Sequence, residues 1–210
     1  MRRLTTRSLR AAATALAAAD PALAGSLTRW GPPPLWARDP GFAALIHLIL
    51  EQQVSLASAQ AAFDRLTLRL GGAVDPTGLL ALDDAEMLAV GFSRQKRDYA
   101  RDLATTILDG GIDLGALDAA PDHVVRARLT ALRGIGPWTA DIYLTMCLGR
   151  PDVWPHGDLA LATSARDVFD LPERPTFAAL RARAERWRPW RAVAARILWH
   201  DYLRRRGLPV

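Results

Sequence analysis

Two residue types are nearly missing: the 210-residue sequence holds one cysteine, Cys147, and one lysine, Lys96. A lone cysteine forms no internal disulfide, and neither a thiolate zinc cage nor a four-cysteine iron–sulfur cluster can be built from it. No run approaches the roughly 18 apolar residues that a membrane span requires. Stretches of alternating β-branched residues are absent too, so a sheet is not expected. The start, Met1-Arg2-Arg3 before an alanine-rich stretch, has only the outline of a signal peptide. Its apolar run, from Ala11 to Ala19, is short, contains Thr14 and stops at Asp20-Pro21. A cytoplasmic protein without membrane association is the expectation.

Half of the residues are apolar and 23% are charged, which argues against a disordered chain. The length suits one large or two small domains. With lysine reduced to one, the other 26 basic residues are arginine, and the formal net charge is +5. Guanidinium forks match pairs of phosphate oxygens, so this balance favours a polyanionic partner. A genomic base composition that replaces Lys by Arg explains the same count.

Nearly every periodic segment has helical spacing, and the chain reads as all-α. Leu9, Leu16 and Leu23 recur every seven residues, as on one helix face packed against a domain. Gly31-Pro32-Pro33-Pro34 breaks that first region, and Asp39-Pro40 opens a helix in which Phe42, Leu45, Ile46 and Ile49 line one face. Leu48 and Leu50 fill the other face, so this helix is buried, with His47 as a core histidine. It ends abruptly in Glu51-Gln52-Gln53. Long polar side chains beside a buried helix need partners, because each unsatisfied group costs roughly 1–3 kcal/mol, so these three should face a cleft, water or a ligand. A small-residue helix then runs to Gly71-Gly72, and further helices are expected at about 83–90, 94–109, 122–132, 137–148, 159–169, 176–186 and 189–205.

The most informative stretch is Leu132-Arg133-Gly134-Ile135-Gly136-Pro137-Trp138-Thr139-Ala140. Two glycines one residue apart permit a tight connection between helices, and Pro137 suits the first turn of the second. The free N–H groups at that helix start can hold an anion such as phosphate, although Gly-x-Gly between helices is also an ordinary turn. Asp158, before Leu159-Ala160-Leu161, is placed as a helix N-cap, a role that can coexist with chemistry.

Residues 122–148 resemble the helix-hairpin-helix motif of the DNA glycosylase superfamily that includes endonuclease III. Val153-Trp154-Pro155-His156-Gly157-Asp158-Leu159 resembles the segment that carries the catalytic aspartate in those enzymes. Ile49-Leu50-Glu51-Gln52-Gln53-Val54-Ser55 is similar to the Gln-Gln-x-Ser segment of the alkylation-repair branch, DNA-3-methyladenine glycosylase II. Gly91-Phe92-Ser93-Arg94-Gln95-Lys96 and Trp187-Arg188-Pro189-Trp190-Arg191, running on to Leu198-Trp199, extend the likeness over most of the chain.

The resemblance implies two helical lobes around a DNA-binding cleft in a single unit, 1–210, with lobes at 35–115 and 116–210 and with residues 1–34 packing on the second. It implies a monomeric, monofunctional base-excision enzyme that releases alkylated purines, such as 3-methyladenine and 7-methylguanine, from damaged double-stranded DNA. Asp158 is then the catalytic carboxylate, Trp199 and Trp138 line the base pocket, and Gln53 fills the gap left by the flipped base. Gly134, Gly136 and Thr139 offer backbone N–H groups to phosphate. The carbonyls of Thr130, Leu132 and Gly134 can hold a monovalent cation, and no other cofactor is required. Lyase relatives form a Schiff base through a lysine where this chain has Trp138, so no strand cleavage is expected. Two features depart from the pattern: Gly157 stands where an acidic residue is common, after His156, and the β-rich N-terminal domain of some relatives is not expected. Two alternatives stay open: a glycosylase for oxidised or deaminated bases, and a non-catalytic helix-hairpin-helix DNA-binding protein.

Overall fold

The structure, a computed structural model, describes residues 3–210. In chain order the helices are α1 (Thr6–Ala19), α2 (Pro21–Trp30), α3 (Phe42–Glu51), α4 (Leu56–Arg69), α5 (Pro76–Ala81), α6 (Asp84–Val90) and α7 (Arg94–Leu108). They continue with α8 (Asp122–Thr130), α9 (Pro137–Ile142), α10 (Leu159–Val168), α11 (Phe177–Ala184) and α12 (Arg191–Arg205). Short 3₁₀ turns occur at Gly115–Leu117 and Glu185–Trp187, and a π-helical turn at Tyr143–Cys147 follows α9 directly. The described residues contain no strand, and none of their helices is long and apolar enough to cross a membrane.

Two compact units emerge, Met1–Ala37 with Leu144–Val210, and Arg38–Tyr143. This division differs from the lobes read from sequence at 35–115 and 116–210. The hairpin helices α8 and α9 group with α3–α7, because Gln52 and Tyr99 of that unit both meet the hairpin turn. Side chains far apart in sequence make those contacts, so local periodicity carries no trace of them.

In the first unit, Thr5 and Ser8 form a reciprocal cap at the start of α1, whose inner face buries Leu9, Ala12, Ala13 and Leu16. The apolar seven-residue spacing suggested one helix, but Asp20 and Pro21 divide it in two. Asp20 ends α1, and its carboxylate accepts from the Ala22 N–H to start α2 with Pro21 in the first position. Leu23 still points inward, from α2. Both helices and α10 pack on α12, which is buried from Ala192 to Asp201.

Several buried polar groups of this unit are paired across its helices. The Trp187 indole donates to Asp20 at 3.0 Å, and the Trp30 indole to Asp201 at 3.0 Å. Arg196 is almost fully buried and donates to the carbonyls of Leu35, Ala192 and Thr145 at 3.0, 3.0 and 2.8 Å. Burial pushes its guanidinium down to about 10, which still leaves it protonated at neutral pH. One cation thereby fastens the Gly31–Ala37 segment and the π-helical turn to α12.

In the second unit, α3 is the core element, packed on α4 and α7, while α5 packs on α7 and α4 on α6. Every one of its residues except Ala43 and His47 is buried. Helix α5 lies within a stretch where the sequence suggested no helix; Asp75 caps it through the Gly78 N–H and Pro76 opens it. His47 is stacked on Phe63, ring centroids 4.5 Å apart, as a core histidine would be, and burial holds its pKa below the usual value.

Candidate functional site

Asp158 sits at the N-terminus of α10, 8% exposed, with Oδ1 accepting from the Leu161 N–H at 2.8 Å. This is the cap foreseen from sequence, and it fixes the carboxylate at the positive end of a ten-residue helix. The preceding loop is fastened at its base. Arg191 at the start of α12 donates to both Asp152 carboxylate oxygens and to its carbonyl, and the Ala192 N–H donates to the Pro151 carbonyl at 3.0 Å. Trp199 lies on α12, on which α10 packs, and is 8% exposed. Asp158 and Trp199 therefore belong to one packed pair of helices.

The remaining candidate residues belong to the other unit. Between α8 and α9 the chain turns through Gly134, whose φ of +83° lies in the left-handed region. A Cβ there would stand 2.2 Å from Cγ of Tyr99, so the Tyr99 ring is laid directly on the turn. Gly136 differs: its φ is −87°, and a Cβ would meet nothing within 4 Å. Sequence reasoning treated the two glycines alike, whereas only Gly134 is required by geometry. Gly136 is the N-cap of α9, and Thr139, its third residue, carries one of the N–H groups that a helix start leaves without an intrahelical partner. Trp138, in the same first turn, is half-buried.

Arg126 of α8 clasps Asp141 of α9, with Nε–Oδ1 at 2.8 Å and Nη2–Oδ1 at 2.6 Å. The Asp141 carboxylate is buried, so the pair fixes the angle between the hairpin helices from inside.

Glu51-Gln52-Gln53 resolves into three different environments. Glu51 is buried and accepts both Arg38 Nη atoms, at 3.2 and 2.6 Å. Gln52, half-buried, points its amide nitrogen at the Gly134 carbonyl, 2.9 Å, and at the Thr139 hydroxyl, 3.3 Å. Gln53 is exposed with φ of +58°, a left-handed conformation that costs a non-glycine residue roughly 1 kcal/mol. Beyond it, Ser55 caps α4, and Val54 and Leu56 are 46% and 58% exposed. Lys96 reaches the end of α3 from α7, donating from Nζ to the Leu50 carbonyl at 2.7 Å.

Of the three carbonyls proposed from sequence for a cation, Leu132 accepts the Ile135 N–H at 3.1 Å and Gly134 accepts Gln52. Each oxygen has two lone pairs, so a cation there would share these acceptors with the protein's own donors.

A hairpin between α8 and α9 is thus followed along the chain by a carboxylate that caps α10. The pattern of HhH-GPD superfamily base excision DNA repair proteins matches residues 46–189. The chain belongs to the HhH-GPD superfamily. Within the superfamily, a putative DNA-3-methyladenine glycosylase YfjP of Bacillus subtilis is 28% identical over 167 residues, 76% of this chain and 58% of that protein. The chain thus spans less than two thirds of that relative's length. A solved 3-methyladenine DNA glycosylase of Schizosaccharomyces pombe, in complex with abasic DNA, superposes with a TM-score of 0.76 at 28% identity, covering 84% of this chain and 87% of that one. A DNA-3-methyladenine glycosidase of Bacillus halodurans gives 0.75 at 30% identity, covering 96% and 93%.

Several working residues were not foreseen from sequence. Tyr99, Arg38, Arg126 and Asp141 carry no motif, and only the polar break at Glu51-Gln52-Gln53 signalled that partners must exist. From that break, Gln52 joins two of the segments singled out.

Proposed function

We propose that this superfamily member is a DNA glycosylase that flips alkylated purines out of duplex DNA and releases them by hydrolysis, leaving the strand uncut. The observation that carries this reading is Asp158, a nearly buried carboxylate fixed at a helix start on the helix pair that also bears Trp199. A module that only held DNA through its hairpin would need nothing there beyond a cap, which an uncharged Ser or Asn supplies as well. The names of the relatives support the choice of alkylated purines.

The chemistry follows from these groups. As the bond between C1′ and the purine nitrogen breaks, its electron pair goes to the base, which leaves neutral if alkylation had made it cationic. Positive charge develops on the sugar, and the Asp158 carboxylate stabilises it. Water adds to C1′ and loses its proton. The N–H groups of Gly134, Gly136 and Thr139 hold a phosphate, and Gln53 enters the stack where the base has left. Trp199 offers an indole face to the cationic ring. A monovalent cation shared by the carbonyls of Thr130, Leu132 and Gly134 would add positive charge beside the phosphate.

Single-turnover base release from duplexes that each carry one lesion tests the substrate class. 3-Methyladenine and 7-methylguanine are expected to leave faster than 8-oxoguanine or uracil by roughly tenfold or more, since the neutral bases lack both the ready leaving group and the attraction to a desolvated indole. Faster release of either neutral base would assign the chain to oxidised or deaminated lesions instead.

Strand cleavage requires an amine that attacks C1′. The hairpin position is Trp138, and the only lysine is committed to the Leu50 carbonyl. Borohydride added during turnover is expected to trap no covalent protein–DNA complex, and efficient trapping would show a lyase.

A further inference from the structure

The exposed tip at Gln53 and the hairpin turn at Gly134 lie in the same unit and are joined by one side chain. Gln52 takes an extended conformation, φ −62° and ψ 123°, which turns its side chain toward the hairpin while the chain swings into the left-handed Gln53. Its amide nitrogen bridges the two parts of the hairpin: the turn, at the Gly134 carbonyl, and the first turn of α9, at the Thr139 hydroxyl. The carbonyl can only accept, so the nitrogen end of the amide must face it. On the other side of the loop, Lys96 holds the last carbonyls of α3 through Leu50, and Arg38 holds Glu51. The segment before the tip is therefore anchored at three successive residues, and Gln52 is the anchor that reaches the hairpin.

We infer that Gln52 is a positioning residue that couples the phosphate grip of the hairpin to insertion of Gln53 into the base stack. This rests on the proposed action on duplex DNA, with Gln53 filling the gap. A hairpin seated on the backbone then sets where the Gln53 turn stands, and extrusion of the base follows from docking. Without the Gln52 amide the hairpin still binds, and Lys96 and Arg38 still hold the end of α3, but the tip is no longer tied to the hairpin.

Gln52→Met keeps the length of the side chain and removes both hydrogen bonds; Gln52→Ala serves as a second variant. Base release is measured in single turnover on 7-methylguanine opposite cytosine and on the same lesion opposite an abasic site, where the base is already partly unstacked. A 2-aminopurine beside the lesion reports extrusion by its fluorescence. Both variants are expected to lose about tenfold or more in rate on the paired lesion and to lose the fluorescence rise, an effect of roughly 1.4 kcal/mol. They should bind undamaged duplex within about twofold of wild type and release the unpaired lesion within about threefold. In a Gln53→Ala background, Gln52→Met should cost little more, because the two act through one step. An equal loss on both lesions, full additivity with Gln53→Ala, or no loss on the paired lesion would each overturn the inference. Failure of the wild-type chain to release 7-methylguanine from either duplex would instead remove the proposed function itself.

Discussion

Asp158→Asn is expected to leave a folded protein that binds duplex DNA as wild type does but releases alkylated base at least about a hundredfold more slowly, the scale of losing one preorganised electrostatic group. The amide keeps the cap, because its oxygen can still accept the Leu161 N–H that Oδ1 now binds at 2.8 Å. Asn and Asp are nearly equal as N-caps, so the melting temperature should move little. Asp158→Ala should be equally slow and also less stable, by about 1 kcal/mol for the lost cap. The pair of variants thus separates the two roles of one side chain. Near-normal release by Asp158→Asn, measured in single turnover on 7-methylguanine duplex, would reduce Asp158 to a cap.

The second large effect belongs to Gly134. A side chain there must adopt φ of +83° and place its first carbon 2.2 Å from the Tyr99 ring. The left-handed strain alone is roughly 1–2 kcal/mol, and the Tyr99 ring, carried by α7, stands directly against the turn. Gly134→Ala is therefore expected to destabilise the protein by about 2 kcal/mol or more and to weaken damaged and undamaged duplex by the same factor, since a phosphate grip holds no base information. Gly136→Ala, at φ −87° with nothing within 4 Å of the added carbon, should cost no more than about 1 kcal/mol, the scale of an alanine at an N-cap. Denaturant titration together with binding to both duplexes measures all of this. Equal tolerance at the two positions would contradict the packing of Tyr99 on the turn.

What was legible in the sequence is what short-range chemistry dictates. Helical spacing and cap residues placed nearly all of the helices, and Asp158 reads as an N-cap because capping involves residues three apart. The break at Asp20-Pro21 was visible but was overridden by the leucine spacing, which persists because Leu23 faces inward from the second helix. The contacts that build the hairpin's surroundings were illegible. Tyr99 on Gly134, Gln52 on Gly134 and Arg38 on Glu51 are tertiary pairs, and nothing in the neighbouring residues specifies them. For the same reason sequence order places the hairpin with the lobe that follows it, whereas it packs in the unit Arg38–Tyr143. The π-helical turn after α9 also escaped, since Tyr143–Cys147 continues the same apolar pattern as the helix before it.

Whether the chain hydrolyses the bond between the sugar and an alkylated purine is read by mass analysis of both products after incubation with a duplex carrying one 7-methylguanine. Free 7-methylguanine and a full-length strand lighter by that base, with an abasic site and no break, are the expected products. An unaltered strand despite tight binding, or guanine left in an intact strand after loss of the methyl group alone, would contradict such hydrolysis.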